Sequence, residues 1–199
     1  MLSLTLIRHG MTEGNRHKRY IGITDEPLCN DGKMALASLN YPITERLFVS
    51  PLLRCRETAQ ILFPENDMKI IEELSECNFG VFENKNYLEL SDDPRYQKWI
   101  DSNGIMAFPD GESKEECAAR NIKGFEMVVT ECIKDNVKDA ALVVHGGTIM
   151  NIMEKYVIPK KAFYEWHVDN GCGYCVQLDE KNWINGRREL NVICSNTQK

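Results

Sequence analysis

Short apolar runs that alternate with helical patterns are the feature that most constrains this fold. Leu2–Ile7 and Ala140–Val144 have the length and composition of buried strands, and Arg46–Val49 is a third run of this type. A long amphipathic pattern follows the capping box of Ser113 and Glu116 and indicates a helix. This alternation predicts an α/β fold, namely a three-layer sandwich with a mostly parallel central sheet and helices on both faces.

Caps and helix-breaking residues predict the remaining elements. Asn30–Asn40 has the pattern of a helix behind an Asn or Asp cap. Ser50 is expected to cap the next helix, with Pro51 as its first residue and Leu62 near its end. Three further segments are predicted to be strands, at Lys69–Leu74 and near Gly173–Leu178 and Arg188–Cys194.

The length and patterning of the chain favour a single domain. Its 199 residues are enough for one domain with a sizeable core. Neither a linker nor an internal repeat divides the sequence, so we expect one domain over residues 1–199. Residues at about 79–110 are weakly patterned, and long segments of this kind usually carry function. We therefore expect a loop-rich cap segment there.

Charge and hydropathy exclude two classes of partner. The formal net charge is −6, whereas affinity for nucleic acid comes mainly from Lys and Arg at phosphates. No stretch approaches the roughly 20 apolar residues that span a bilayer, and the first residues lack the pattern of a signal peptide. We therefore expect a cytoplasmic protein with no nucleic-acid or membrane partner. An anionic small substrate remains compatible with this charge if a few cations converge locally.

The cysteines are an even set of eight, which is compatible with disulfides. The sizeable core and the missing secretion signal argue against that alternative. Cys172 and Cys175 have the spacing of a metal or redox motif, but a structural zinc site needs four ligands and no second motif supplies them. We therefore expect these two cysteines to be small apolar residues of a strand.

Polar and ionisable side chains stand where the predicted strands end. Arg8 and His9 follow the first strand, residues 50–54 follow the second, Glu76 follows the third and His145 follows the fourth. Ligands of open α/β sheets bind at the carboxyl ends of the strands. Packing alone does not explain such side chains at all four ends, so we expect them to converge on one site.

Five segments of the chain resemble, in order, those of the histidine phosphatase superfamily. The first, Leu6–Thr12 with Asn15, is similar to the family signature RHGxTxxN. The other four are Ser50–Ala59, Leu74–Gly80, Pro109–Ser113 and Val144–Thr148. The resemblance covers most of the chain. It implies a phosphoglycerate mutase-like fold and the transfer of a phosphoryl group from a small phosphorylated substrate to a histidine.

Each matching position then has an implied chemical role. His9 is the expected nucleophile, because a neutral imidazole nitrogen can attack phosphorus and divide one difficult hydrolysis into two easier steps. Arg8 and Arg54 are expected to hold the phosphoryl oxygens, since the guanidinium fork donates paired hydrogen bonds. Glu76 is the expected general acid. His145 is expected to stabilise the phosphoryl group from the opposite side.

Other polar residues are assigned by their distance from these motifs. Asn15 is expected to hydrogen-bond the phosphoryl group, as its family position implies. Arg56 points away from Arg54 on a helix, so we interpret it as solvated or ion-paired. His17 and His167 fall outside the motifs and are expected at the surface or at the substrate rim.

Metal ions and cofactors are not expected, since no cluster of Asp, Glu and His has the pattern of a catalytic metal site. Electrostatic stabilisation would come from arginine and histidine instead. Met11 stands where many relatives carry Glu or Gln, a change expected to alter the pocket rim rather than the chemistry.

The family resemblance leaves several functions open. A phosphatase is favoured over a cofactor-dependent phosphoglycerate mutase, because mutases of this type are longer and a shorter cap should admit water. Tyr20–Gly22 and Trp166–Cys172 are similar to segments of the α-ribazole-phosphate phosphatases of cobalamin synthesis, which makes α-ribazole phosphate one candidate substrate. A non-catalytic phosphate-binding module is a third alternative, although the complete residue set favours an enzyme. A homodimer is one open alternative for the assembly.

Overall fold

A six-stranded sheet forms the centre of the molecule. The structure is a computed structural model, and it describes residues 1–196. The strands are β1 (Leu2–Arg8), β2 (Arg46–Val49), β3 (Met68–Ile70), β4 (Asp139–Val144), β5 (Gly173–Leu178) and β6 (Asn191–Asn196). Their order across the sheet is β3-β2-β4-β1-β5-β6. The first four strands in that order pair in parallel, and β5 and β6 join the sheet antiparallel. The predicted α/β fold with a mostly parallel sheet is confirmed.

Helices cover both faces of this sheet. They are α1 (Glu13–Arg16), α2 (Asn30–Ala37), α3 (Leu53–Leu62), α4 (Pro94–Asp101), α5 (Lys114–Lys134), α6 (Gly146–Tyr156) and α7 (Glu180–Ile184). On one face, Phe125 of α5 and Ile152 of α6 share a core with Leu142 of β4. On the other face, Ala59 of α3 packs with Val143. Because β4 is covered on both sides, its sequence is a nearly continuous apolar run.

The predicted ends of α2 and β3 are wrong, and side chains donate hydrogen bonds to backbone carbonyls near both. Helix α2 ends at Ala37 rather than Asn40, and the Ser38 hydroxyl donates to Ala35 O at 2.7 Å. Strand β3 ends at Ile70, and a 3-10 turn at Glu72–Leu74 replaces the rest of the predicted strand. The side-chain amide of Asn121 donates to the carbonyls of residues 73 and 75, at 3.1 and 2.9 Å. At the carboxyl end, β6 begins three residues later than predicted.

The start of α3 also differs from the prediction, which used Ser50 as the N-cap and Pro51 as the first residue. The helix begins at Leu53, and its cap position makes no side-chain hydrogen bond. Instead, the Leu53 N–H donates to Asp25 Oδ1 at 2.6 Å, so a carboxylate from another segment caps the helix. Ser50 is thereby free for a different contact, with His145, at the end of the sheet.

The cap segment, defined as residues 79–110, contains a 3-10 turn at Gly80–Phe82 and helix α4, joined by loops. Its aromatic rings pack on one another. The ring centroids of Phe79 and Phe108 are 5.0 Å apart, as are those of Trp99 and Phe108. Tyr20, from outside the segment, packs edge-to-face on Phe79 at 5.3 Å. The single-domain organisation and the covering role of this segment stay predictions.

Glu83 joins the cap segment to the loop at residues 22–24. The Glu83 side chain is half-buried. Its carboxylate accepts from the N–H groups of Gly22 and Ile23, at 3.1 and 3.0 Å, and from the Thr24 hydroxyl at 2.6 Å. It also accepts from the Phe79 N–H at 3.0 Å. One carboxylate therefore fixes two loops at once.

The cysteines are free thiols, in agreement with the argument against disulfides. Cys175 lies in β5 as predicted, whereas Cys172 lies directly before the strand, so the prediction that it is a strand residue is wrong. No helix within residues 1–196 is both long enough and apolar enough to span a membrane.

Replacing Glu83 with Gln should destabilise the fold. The variant keeps the shape of the side chain but loses charge-assisted acceptance from several donors, so we expect the free energy of unfolding to drop by about 1.5–3 kcal/mol. Urea titration measures this change. Glu72→Gln, at an exposed glutamate nearby, is the matched control and should stay within about 0.5 kcal/mol of the parent. Equal stability of the two variants would contradict the role of Glu83.

Candidate active site

The register of two parallel strands brings two histidines together. Strands β1 and β4 pair with Arg8 opposite Val144, and the His9 N–H donates to Val144 O at 2.9 Å. His9 and His145 are the next residues of the two strands, and their ring centroids lie 5.3 Å apart. Strand β2 is the other neighbour of β4, and Ser50 follows it. The sheet therefore places these three side chains at one edge.

His9 is a buried imidazole with one nitrogen unprotonated. Its Nδ1 lies 2.7 Å from Gly10 O, and a carbonyl oxygen only accepts, so Nδ1 carries the proton and Nε2 keeps its lone pair. Burial lowers the pKa of His9 well below its usual value, and the charges of Arg54 and Arg8 lower it further. The side chain therefore has the protonation state that a nucleophile needs.

His145 is fully buried beside it. Its Nε2 lies 2.7 Å from the Ser50 hydroxyl and 3.5 Å from Cys55 Sγ. Burial lowers the pKa of His145 well below its usual value, and the positive charge of Arg54 contributes in the same direction. An anion bound between the histidines would oppose this shift, because negative charge favours the protonated imidazole. His145 can therefore respond to charge that develops nearby.

Arg8 and Arg54 each carry a buried donor without a partner. The Nη groups of Arg54 donate to Thr24 O at 2.9 Å and Gly22 O at 2.8 Å, and Arg8 Nη1 donates to Val168 O at 2.8 Å. Both Nε–H groups are buried and make no hydrogen bond within residues 1–196. Unpaired buried donors are costly, so a site that keeps two of them has unmet demand for acceptor atoms. Oxygens of an oxyanion fit that demand.

The side-chain amide oxygen of Asn15 already accepts two hydrogen bonds. Its Oδ1 accepts from the Thr12 N–H at 3.3 Å and from Asn170 Nδ2 at 3.1 Å, which leaves the amide nitrogen as the group available to a ligand. Asn170 also donates to His9 O at 3.1 Å. Asn170 thus ties Asn15 to the loop that carries His9, a role that its position in the sequence does not indicate.

Glu76 approaches the N-terminus of α6 through a glycine. The side chain is buried, and its Oε2 accepts from the Gly147 N–H at 3.3 Å. A Cβ atom at Gly147 would lie 2.5 Å from Glu76 Oε1, so the carboxylate fits only beside glycine. The helix N-terminus favours the negative charge. Burial lowers the pKa of Arg8, and the Glu76 carboxylate opposes that shift.

A cavity of about 320 Å³ opens onto these groups. Four of the six residues predicted for the site line it, namely Arg8, His9, Asn15 and Glu76. The other two, Arg54 and His145, are fully buried and are not among its lining residues. The cavity is also lined by aromatic rings of the cap segment and by Phe163 and Tyr164. The arrangement places a neutral imidazole, the guanidinium of Arg8, an amide and a carboxylate around a space of ligand size, with Arg54 and His145 buried outside its lining.

Comparison with known families decides the assignment. Residues 4–189 match the model of the histidine phosphatase superfamily, branch 1. This chain belongs to that superfamily. Phosphatase and mutase activities through a phosphohistidine are general to the superfamily, and the chain is an enzyme of this class.

Its relatives include phosphatases and mutases. An adenosylcobalamin/alpha-ribazole phosphatase of Escherichia coli strain K12 is 24% identical over 189 residues, 90% of this chain and 92% of the relative. A probable phosphoglycerate mutase GpmB of Enterobacter sp. strain 638 is 28% identical over 174 residues, 83% and 79% of the two chains. The crystal structure of a putative alpha-ribazole-5'-P phosphatase from Escherichia coli K-12 MG1655 shares the fold, with a TM-score of 0.83, 23% identity and coverage of 98% and 96%.

Arg120 supports the segment that carries Glu76, and sequence analysis missed it. From α5, its Nη1 donates to Ser75 O at 2.8 Å and its Nη2 to Glu76 O at 3.1 Å. It also pairs with the Glu112 carboxylate, at 2.9 and 2.7 Å. The backbone on both sides of the Glu76 side chain is therefore held in place. Arg120 stands beside the buried Asn121 in α5, and a local sequence pattern does not indicate the distant partners of either side chain.

One group of possible metal ligands lies at the cavity wall within residues 1–196. The ligand atoms of Cys77, Glu112 and Cys117 lie within 4.8 Å of one another. The Glu112 carboxylate is already occupied by Arg120 and by the Asn78 N–H. A hydrogen bond with Cys77, and burial, raise the pKa of Cys117, which disfavours the thiolate that a metal requires. We interpret the group as structural.

The remaining candidates lie at the surface. Arg56 and His17 are exposed and do not line the cavity, and His17 Nε2 lies 3.9 Å from a Glu13 oxygen. His167 is also exposed but does line the cavity, which places it at the substrate rim. Sequence analysis expected His17 and His167 either at the surface or at the substrate rim, and the structure has one in each place.

The stability of this histidine phosphatase should decrease as the pH falls from 6.5 to 5.5. His9 and His145 have folded-state pKa values below the usual one, so in this window the unfolded chain binds more protons than the folded chain. Their contribution is complete above pH 6.5. As the pH falls below 6.5, each histidine lowers the free energy of unfolding by up to about 1.4 kcal/mol per pH unit. Urea unfolding at constant ionic strength measures the slope.

Substitution of single histidines separates this effect from other titrations. His9→Asn and His145→Asn should each make the slope shallower, because each removes one group that gains a proton on unfolding. His17→Asn is the matched control at an exposed histidine and should leave the slope unchanged. If His9→Asn and His145→Asn both kept the slope of the parent protein, His9 and His145 would not be neutral, buried groups in the folded state.

Proposed function

We propose that this protein is a metal-independent phosphomonoesterase that hydrolyses a small phosphorylated metabolite through a phosphohistidine at His9. The observation that carries the proposal is the hydrogen bond from His9 Nδ1 to Gly10 O, because it leaves Nε2 unprotonated inside a buried site. The unpaired Nε–H groups of Arg8 and Arg54 support it. A phosphoryl group supplies the acceptors that these donors lack.

The first step transfers the phosphoryl group to the enzyme. The lone pair of His9 Nε2 forms a bond to phosphorus while the bond from phosphorus to the ester oxygen breaks. Glu76, protonated at this stage, gives its proton to the departing oxygen, so that an alcohol leaves rather than an alkoxide. Arg8, Arg54 and the amide of Asn15 stabilise the charge on the phosphoryl oxygens.

The second step returns the enzyme to its starting state. Glu76, now a carboxylate, accepts a proton from water while the water oxygen bonds to phosphorus. The bond between phosphorus and His9 Nε2 breaks, and its electron pair returns to the imidazole. His145, whose neutral state depends on burial among positive charges, becomes easier to protonate while the dianionic phosphoryl group is bound. It thereby adds positive charge where negative charge accumulates.

Hydrolysis is favoured over phosphoryl return to a second substrate. The cap segment is short, the cavity is open to solvent at the exposed Tyr164, and water can therefore reach the phosphohistidine. Cofactor-dependent phosphoglycerate mutase is the alternative, and the relatives named GpmB support it. Among phosphatase substrates, α-ribazole phosphate is a candidate because of the relative that carries this activity in its name.

A non-catalytic phosphate-binding module is disfavoured by the residues present. Such a module needs the arginines but neither a nucleophile nor an acid. His9 and Glu76 are both buried and both hydrogen-bonded in the same cavity wall, which a binding function alone does not require. We further propose that the chain works as one domain, in which the cap segment covers this cavity.

Brief incubation with a labelled phosphomonoester should place the label on His9. His9→Ala should lower turnover by about a thousandfold or more and abolish labelling, because it removes the nucleophile. Acid quench followed by peptide mapping locates the label. His17→Ala, at an exposed histidine outside the cavity, should label normally.

A turnover assay tests whether the activity is independent of metal ions. Release of p-nitrophenolate from p-nitrophenyl phosphate should be unchanged by EDTA, since arginine and histidine provide the positive charge. Activity that disappears in EDTA and returns with a divalent cation would refute the mechanism, as would a label on cysteine or serine.

Two adjacent glycines provide a test of the acid. Gly147→Ala should displace the Glu76 carboxylate, because the new Cβ would lie 2.5 Å from Oε1. We expect kcat for alkyl phosphates to fall by up to about a hundredfold, with a smaller loss for p-nitrophenyl phosphate, whose leaving group hardly needs a proton. Gly146→Ala is the matched control, since its Cβ would meet no atom closer than Arg8 Nε at 3.5 Å. Equal losses for both substrates, measured for the first step by rapid quench, would exclude Glu76 as the acid.

A further inference from the structure

Besides the phosphate-binding groups, the cavity is lined by Tyr20 and by two groups of aromatic rings. The cap wall consists of Phe79, Trp99 and Phe108, and the mouth pair consists of Phe163 and Tyr164. The mechanism proposed above uses none of these rings. They form the part of the cavity that is left for the leaving group of a phosphomonoester.

The cap wall is held in place by its own packing. Trp99 and Phe108 are stacked, with centroids 5.0 Å apart and ring planes inclined by 28°. Phe79 packs edge-to-face on Phe108 at 5.0 Å, and Tyr96 stacks on Trp99 with an interplanar angle of 16°. Rings fixed in this way need little reordering when a ligand binds, so the ligand keeps more of the binding energy.

The mouth pair presents ring surface that its own contacts do not cover. Tyr164 is 78% exposed, and its centroid lies 5.0 Å from that of Phe163. One side of the Phe163 ring carries the Lys114 ammonium at 4.3 Å. A largely exposed aromatic ring at the mouth of a cavity is a feature of binding surfaces. A leaving group in the cavity would therefore meet ring surface at the mouth pair as well as at the cap wall.

Two of the cations among the lining residues already have acidic neighbours, and a third lies over an aromatic ring. Arg19 is paired with the Glu89 carboxylate, at 3.2 and 2.8 Å. Lys114 lies over a ring, and His167 Nε2 lies 3.8 Å from an Asp169 oxygen. A small acid such as glycerate would place its carboxylate against aromatic carbon. Uncharged ring systems suit these walls better.

We propose that the cap wall and the mouth pair bind a flat aromatic ring, so that the substrates are phosphomonoesters of alcohols that carry such a ring. This inference rests on the proposed phosphomonoesterase function and specifies its substrate class. Aromatic pairs prefer stacked or edge-to-face geometry, and the cap wall already shows both among its own members. An aliphatic ring of similar size gains the burial but not this additional interaction.

The test compares three esters with similar reacting ends. These are 2-phenylethyl phosphate, 2-cyclohexylethyl phosphate and 3-phosphoglycerate. We expect kcat/KM for the phenyl ester to exceed that for the cyclohexyl ester by about two- to tenfold, and both to exceed that for 3-phosphoglycerate. Calorimetry with the two corresponding phosphonates, which cannot be hydrolysed, should show the same preference in Kd.

Variants locate the preference. Trp99→Leu and Phe163→Leu each keep an apolar side chain but remove a ring, one from each side of the cavity. Each should lower the ratio of phenyl to cyclohexyl ester toward one. Tyr87→Leu is the matched control, at an exposed ring of the cap segment that does not line the cavity, and should keep the parent ratio. Thermal unfolding identifies any variant that fails to fold. If one of the two ring variants does not fold, the other still tests the preference.

The outcomes distinguish this inference from the proposed function. Equal values for the phenyl and cyclohexyl esters, or a preference for 3-phosphoglycerate, would overturn the aromatic site while labelling of His9 upheld the phosphatase. A phosphonate preference without turnover of any ester would uphold the aromatic site and overturn the phosphatase. A parent-like ratio in both ring variants would overturn the assignment of the site to these walls.

Discussion

The pairing of β1 with β4 is the constraint on which the site depends. Its register sets Arg8 opposite Val144, and the two residues that follow, His9 and His145, leave the sheet together. A slip of one residue would turn every side chain of β1 to the other face and exchange the groups packed in the two cores. Apolar burial on both faces of the sheet thus enforces the register that brings the histidines together. The core and the chemistry select the same pairing.

Burial at this edge supports the chemistry and costs stability. Burial away from water keeps His9 neutral and strengthens the electrostatic interactions around it. It also means that the buried guanidinium of Arg54 needs hydrogen-bond partners from the protein. The chain supplies carbonyl oxygens of the loop at residues 22–24, and Glu83 holds that loop from the other side. Within residues 1–196, the Nε–H groups of Arg8 and Arg54 nevertheless have no hydrogen-bond partner. Unmet hydrogen bonds at a functional site, offset by the rest of the fold, are what a site built for an anion requires.

The strands and the ionisable residues at their ends could be predicted, because apolar runs and their boundaries are local signals. The role of Ser50 could not. A serine before a proline has the local pattern of an N-cap, whereas Asp25, 28 positions from Leu53, caps the helix. Glu83 and Arg120 were missed for the same reason. Their partners lie in other segments of the chain, and only tertiary structure brings a loop carboxylate or a helical guanidinium next to them.

Glu83 also explains why the phosphate end and the leaving-group end of the cavity are not independent. Its carboxylate accepts from the loop whose carbonyls hold Arg54, and from the N–H of Phe79, where the cap segment begins. Arg54 is one of the residues proposed to bind the phosphoryl group, and Phe79 belongs to the cap wall proposed to contact the leaving group. A change that moves one therefore moves the other. Rings farther along the cap, such as Trp99, are held by aromatic packing instead, so substrate preference can change there while the geometry around the nucleophile is preserved.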